Sequence, residues 1–253
     1  MPTTPAEGDW RGRTGGTDLF DGLREALLAA GLGPTQLDVA PADDPEGRTL
    51  AAALVLLYPH ASTGASAGPM SAPHLVLTRR TTRMRRHSGQ ISLPGGRYDP
   101  EDGSLLRTAL RETEEELGVN PANLTVWGRL DPVQIAATHY QLAPFVAFTP
   151  RRPEFQPAPA EVAEVIDLPL DRLLDPDTLE EEVWDFKGTP RLVSFYRQAE
   201  HKIWGATARI LGQIVALLDP SRTPGTFVGA AGETGRRLAP GDTWPRSVRQ
   251  REL

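Results

Sequence analysis

Nine consecutive apolar residues, Leu50 to Tyr58, constrain this chain more than any other stretch of it. The run is far shorter than the roughly 20 residues a membrane-crossing helix requires. It follows a turn-rich link, Asp38 to Gly47, and reads as a buried strand. His74 to Thr78 has the same character, across a Gly/Ala/Ser loop from Ala61 to Pro73. Leu124 to Leu130, Leu142 to Phe148 and Glu164 to Leu168 are further strand candidates. Helical spacing appears between them. Leu19, Phe20, Leu23, Leu27 and Leu28 make Thr17 to Ala30 an amphipathic helix stopped at Gly31. Ser104 to Leu117 is a second helix, closed by Gly118, and Leu170 to Leu174 a short third. Ile203 to Leu218 is a fourth, whose stripe of Ile203, Ile210, Leu211, Ile214 and Leu218 makes Trp204 a core residue. Strands and helices are interspersed, so the expected fold class is α/β (α+β), with one domain over 17–218, a leader over 1–16 and a polar Pro/Gly-rich tail over 219–253.

Composition removes several function classes. With no cysteine, thiol catalysis, Cys-based zinc sites and disulfides are excluded together, and a cytoplasmic protein is expected. The formal charge of −6 gives the molecule no overall electrostatic attraction to nucleic acid. No secretory signal is visible at the N-terminus.

The chemistry concentrates on the second helix. Glu112, Glu115 and Glu116 stand at i, i+3 and i+4, on one face within one turn. Leu106, Ala109, Leu110, Thr113 and Leu117 take the opposite side. Three neighbouring carboxylates repel one another, and a hard divalent ion such as Mg²⁺ or Mn²⁺ relieves this while keeping coordination sites for a phosphate substrate. An acidic run alone is usually a solvated helix face. Here Arg111 precedes it, Leu117-Gly118-Val119 follows, and Gly95-Gly96 lies upstream.

Taken together, these residues resemble the Nudix box, whose Arg-Glu-x-x-Glu-Glu-x-Gly-aliphatic half is matched from Arg111 to Val119. The first half departs from the common pattern. Its acidic position falls on Asp102, one residue later and one carbon shorter than usual, and Thr113 replaces a large aliphatic. The preceding stretch, Val76 to Gly96, is similar to the signature of Nudix coenzyme A pyrophosphatases. Thr78, Arg80, Arg85, Gly89, Pro94, Gly95 and Gly96 match it, while Val76, Thr81 and Leu93 are conservative departures.

The resemblance implies a Nudix-like mixed β-sheet sandwiched between helices, and hydrolysis of the pyrophosphate bond of coenzyme A or acyl-CoA to 3′,5′-ADP and (acyl-)4′-phosphopantetheine. It implies Mg²⁺ or Mn²⁺ held by Glu112, Glu115, Glu116 and the Gly96 carbonyl. Glu115 is the expected proton acceptor in the catalytic pair with Arg111, whose i to i+4 spacing places it beside Glu115 as a brace. Arg80, Arg85, Gly89, Gln90 and Gly95 are the expected substrate contacts, with the arginines suited to phosphate through bidentate hydrogen bonds. Arg79, Arg83 and Arg86 read as a solvated basic face or salt-bridge partners. His87, His139, Glu161 and Glu164 are secondary candidates for a base or ligand contact. The expected partner is a CoA-like small-molecule nucleotide, with no nucleic acid and no membrane, and a homodimer is left open. Hydrolysis of NADH or ADP-ribose, and nucleotide sensing without cleavage, are the competing readings.

Overall fold

The apolar run forms β1 (Thr49–His60), the central strand of a computed structural model that describes residues 19–42, 44–60, 72–81, 89–135, 138–186, 189–221, 236–237 and 249–251. Its partner on one side is β7 (Tyr140–Phe148), parallel to it from Thr49↔Tyr140 to Leu57↔Phe148. On the other side, its first half pairs with β4 (Gly95–Arg97) and its second half with β2 (Ala72–Arg80), both antiparallel. The remaining strands complete one mixed eight-stranded sheet. In it β3 (Ile91–Ser92) and β8 (Val162–Pro169) pair with β2, while β5 (Thr125–Arg129) and β6 (Val133–Ile135) pair with β7.

Both faces of the sheet are covered, which is why β1 carries no polar alternation. Ala53, Val55 and Leu57 face one core, and Ala52, Leu54, Leu56 and Tyr58 face the other. The first core is closed by α1 (Leu19–Ala29), α3 (Leu170–Leu174) and α4 (Gly205–Leu218), which bring Phe20, Leu23, Leu27, Leu170, Ile210, Leu211 and Ile214. The second is closed by α2 (Leu105–Leu117) through Leu106, Ala109 and Leu117, packed on Ala143, Phe145 and Ala147 of β7. Each such leucine contributes roughly 1.5–3 kcal/mol on leaving water. The expected mixed sheet between helices is the observed one.

Two features differ from the sequence expectation. Ile203 belongs to β11 (His201–Ile203), paired with Tyr196, so α4 begins only at Gly205 with Trp204 as its N-cap. The hairpin ladder and a fully buried side chain hold Ile203 in the strand. A second, five-stranded sheet also occupies a stretch that hydrophobic patterning left unassigned. It is built from β9 (Leu179–Phe186), β10 (Thr189–Gln198) and β11, joined by β12 (Arg236–Arg237) and β13 (Arg249–Arg251). Its small core is Trp184, Val193 and Phe195, with Trp204 packed edge-on against Trp184 at 5.1 Å. Glu182 is buried within it, ion-paired with Lys202 and accepting from the Trp184 indole at 3.0 Å. Among the described residues no helix is long and apolar enough to cross a membrane.

Near the far end of β1, the Tyr58 hydroxyl donates to Asp167 at 2.6 Å, and Arg152 donates to both Asp167 oxygens at 2.9 Å. Burial alone would raise the Asp167 pKa, but these donors outweigh it and hold it below the usual carboxylate value. A carboxyl with a depressed folded pKa adds stability that is present above its unfolded pKa, about 3.9, and disappears as pH falls through the folded value. Asp167→Asn is therefore expected to destabilise the protein at pH 7 and to differ little from wild type near pH 2, read by urea denaturation across pH. A difference that does not change with pH would count against this network.

Candidate active site

Local chemistry builds the site from β4 and α2. At Gly95 (φ +155°) a side chain would overlap the Ala52 carbonyl oxygen and come within 2.6 Å of the Ala53 Cα. Only glycine lets β4 lie this close against β1. At Gly96 the space that a Cβ would fill is taken by the Glu112 carboxylate. The chain then turns through a 3₁₀ helix, Pro100–Asp102, and enters α2 at Ser104. The Ser104 hydroxyl accepts from the Arg107 N–H at 3.2 Å and donates to Asp38 at 2.6 Å, satisfying an N-terminal donor of the helix. Gly118 ends it in the left-handed region (φ +70°), its N–H donating to the Glu114 carbonyl.

Asp102, in the half of the motif that departs from the common pattern, ends the 3₁₀ helix that leads into α2. Its carboxylate receives Arg111 Nε at 2.7 Å and Nη2 at 3.1 Å, and the Thr108 hydroxyl at 2.7 Å. Arg111, the first cause, holds the Asp102 pKa down. Thr113 is also explained: it is buried, and its hydroxyl donates to the Ala109 carbonyl at 2.7 Å, so no polar group is stranded. The spacing of Asp102 from Gly96 was the signal for its role, and Thr108 had none.

The three helical glutamates do not converge equally. Glu112 and Glu116 turn inward beside β4, whereas the Glu115 side chain is 60% exposed and bends to Arg111 Nη1 at 2.9 Å. Arg111 also pairs with Glu112 at 3.0 Å, so one guanidinium contacts Asp102, Glu112 and Glu115; the i to i+4 spacing had pointed to Glu115 alone. Glu116 is only 3% exposed. One of its oxygens meets Arg80 Nη1 at 3.4 Å, and the other, Oε2, has no hydrogen-bond partner. Burial pushes the Glu116 carboxyl up to about 8, against the pull of Arg80 and with added repulsion from Glu112 and Glu161. Burial likewise raises Glu112, opposed by Arg111. Among the described residues, only Glu164, Glu200 and His201 bring three ligand atoms within 4.8 Å. That group lies elsewhere, and Arg79 already donates to Glu164 at 2.6 Å.

The expected substrate contacts are distributed as follows. Arg80 ends β2, its guanidinium between Glu116 and Glu161. Gly89 and Gln90 exchange backbone hydrogen bonds with Arg80, closing the β2–β3 connection. Gly95 packs against β1. Arg85, with Arg83, Arg86 and His87, lies outside the described residues. His139 is an exposed turn residue (φ +57°) whose carbonyl accepts from Thr49, and Glu164 is taken by Arg79 and His201.

An inward pair of desolvated carboxylates thus stands at a Gly-Gly strand, braced by an arginine and set on a helix over a mixed sheet, a donor set of the kind that could hold an oxygen-seeking cation. Consistent with this, the NUDIX domain family model matches residues 63–192, and the chain belongs to the Nudix family, whose hydrolases act on nucleoside diphosphate derivatives and generally use divalent metals. It is similar to the protein described as uncharacterized Nudix hydrolase NudL in Photorhabdus laumondii, 37% identical over 142 residues that cover 56% of this chain and 75% of the relative. NudL of Pectobacterium atrosepticum is 35% identical over 147 residues, covering 56% and 73%. Among solved structures, the Nudix hydrolase RenU of M. smegmatis superposes with a TM-score of 0.41 at 24% identity, covering 51% of this chain and 74% of that one. The NUDIX domain of Shewanella oneidensis NrtR, complexed with ADP ribose, gives 0.38 at 23% identity, covering 52% and 80%.

Proposed function

We propose that this chain hydrolyses the pyrophosphate bond of coenzyme A or an acyl-CoA, releasing 3′,5′-ADP and (acyl-)4′-phosphopantetheine. The observation that carries the metal-dependent part is the buried, unpartnered Glu116 Oε2 beside a second desolvated carboxylate, Glu112. That donor set fits a hard divalent ion. Glu112, Glu115, Glu116 and the Gly96 carbonyl would hold Mg²⁺ or Mn²⁺, which when bound neutralises diphosphate charge and acidifies water. Glu115 is exposed enough to reach a water at the mouth of the site and accept its proton. Arg111 holds Glu115 in place and touches no substrate. The coenzyme A assignment rests on the residues from Val76 to Gly96. Arg80 and Arg85 would bind the ribose 3′-phosphate through charge-assisted hydrogen bonds.

Incubating the protein with coenzyme A and divalent metal, with products identified by mass, tests the reaction. Cleavage of NADH or ADP-ribose without cleavage of coenzyme A would overturn the substrate and keep the chemistry. Arg80→Ala and Arg85→Ala are expected to lower kcat/KM on coenzyme A about tenfold or more, with a smaller loss on 3′-dephospho-coenzyme A. Equal losses on both compounds would remove these arginines from the 3′-phosphate.

A further inference from the structure

We infer that Thr108 is a positioning residue of the site: its hydroxyl fixes the Asp102 carboxylate, and Asp102 in turn aims the Arg111 guanidinium at Glu112 and Glu115. This rests on the hydrolase reading above and adds to it a residue at a position the box leaves open. A buried threonine inside a helix ordinarily turns its hydroxyl back to the carbonyl four residues earlier. Thr113 of α2 does so, donating to Ala109 at 2.7 Å. Thr108, on the same helix and fully buried, does otherwise. Its hydroxyl stands 3.3 Å from the Ser104 carbonyl but 2.7 Å from Asp102 Oδ2, and its single proton goes to the nearer, charged oxygen.

What that bond controls follows from the groups beyond it. The outer torsion of an aspartate is broad and roughly two-fold, so the carboxylate keeps one orientation only where its oxygens are tied. Asp102 Oδ2 is tied by Thr108 and, more distantly, by the Asp99 N–H at 3.3 Å. The carboxylate then receives Arg111 Nε at Oδ1 and Nη2 at Oδ2, at 2.7 and 3.1 Å. A guanidinium is a rigid planar fork, so two bonds to one carboxylate fix where its remaining hydrogens point. They point at Glu115, 2.9 Å from Nη1, and at Glu112, 3.0 Å from Nη2. The Arg97 carbonyl, next to Gly96, takes a further Nη2 contact at 3.5 Å. Without the hydroxyl Asp102 turns more freely and the fork turns with it. The proposed proton acceptor and one proposed metal ligand then lose their common brace.

The test begins on the metal-free protein. The Arg111 Nε–H, donated to Asp102, is followed by nitrogen–proton NMR, with its resonance assigned by its loss in Arg111→Lys. Thr108→Val keeps the shape and removes the hydroxyl, and is expected to speed exchange of that proton with water about tenfold. Thr108→Ser, which restores the hydroxyl, is expected to stay within about twofold of wild type. Turnover is then measured with Mg²⁺ on coenzyme A, or on whichever nucleoside diphosphate compound the wild type cleaves. Thr108→Val should lower kcat about tenfold with KM within about twofold, the scale for a residue that orients a metal-site ligand. Thr108→Ser should recover most of that loss, and Thr113→Val, on the same helix, should leave kcat near wild type. Asp102→Ala should lower kcat at least as far as Thr108→Val, and the double variant no further than Asp102→Ala, because residues acting through one chain of contacts are not additive. Thr108→Ala takes the place of Thr108→Val if the latter fails to melt cooperatively. Unchanged Nε–H exchange, or faster exchange with kcat unaffected, overturns the inference and leaves the proposed hydrolase intact. Losses that multiply in the double variant also overturn it, since Thr108 then acts by another route. A wild-type protein that cleaves none of coenzyme A, NADH and ADP-ribose removes both readings at once.

Discussion

Glu116→Gln is expected to abolish turnover while leaving the protein at least as stable as wild type. Its carboxylate is buried, has one oxygen with no partner, and is pushed up to about 8 by desolvation. A neutral amide of the same shape removes the cost of that charge, so the variant should melt no lower and gain about 1 kcal/mol. Activity moves the other way. Loss of one charged contact to the ion that clamps a diphosphate should lower kcat on the order of 10³-fold. The measurement pairs kcat in saturating Mg²⁺ with a thermal melt in chelator. Near-normal turnover would place the cation elsewhere, and a sharply lower Tm would make Glu116 a structural residue. Opposite signs for stability and activity are the signature of a group retained for chemistry.

Gly95→Ala and Gly96→Ala should separate folding from function at adjacent positions. A methyl at Gly95 meets backbone, the Ala52 carbonyl and the Ala53 Cα, neither of which can move without disturbing the central strand. Overpacking of this kind, with a positive φ added to it, costs about 3 kcal/mol. The atoms nearest a methyl at Gly96 belong to the end of the Glu112 side chain. The fold should survive at a cost below about 1 kcal/mol, because a flexible side chain can swing aside. Turnover should fall, because Glu112 is then pushed out of the site. Urea denaturation and kcat on the same two proteins check both halves. Equal destabilisation would show that the Glu112 carboxylate is held as rigidly as backbone.

The layered fold was legible because hydrophobic period carries it. A continuous apolar run such as Leu50 to Tyr58 is stable only with both faces covered, and α1, α2 and α4 show the 3.6-residue stripe that covers them. The second sheet was not legible, for an equally physical reason. β9 reads Leu-Glu-Glu-Glu-Val-Trp-Asp-Phe, and its buried Glu182 looks like a surface residue until Lys202 is brought to it from β11, beside the Trp184 indole two residues along its own strand. Ion pairing across strands hides a core position from any rule that equates charge with exposure.

At the site, the chain alone determined which residues share the helix, since i, i+3 and i+4 are properties of a helix wherever it sits. Arg111 beside Glu115 follows from that spacing, and so does the cap at Gly118. Tertiary structure decided which glutamate is buried, which is exposed and which cation answers each. Glu115 and Glu116 are neighbours in sequence, yet the approach of β4 and the end of β2 desolvate one and leave the other in water. Desolvation depends on what packs against a residue, and contacts between residues 36 apart, such as Arg80 and Glu116, are not written in local periodicity.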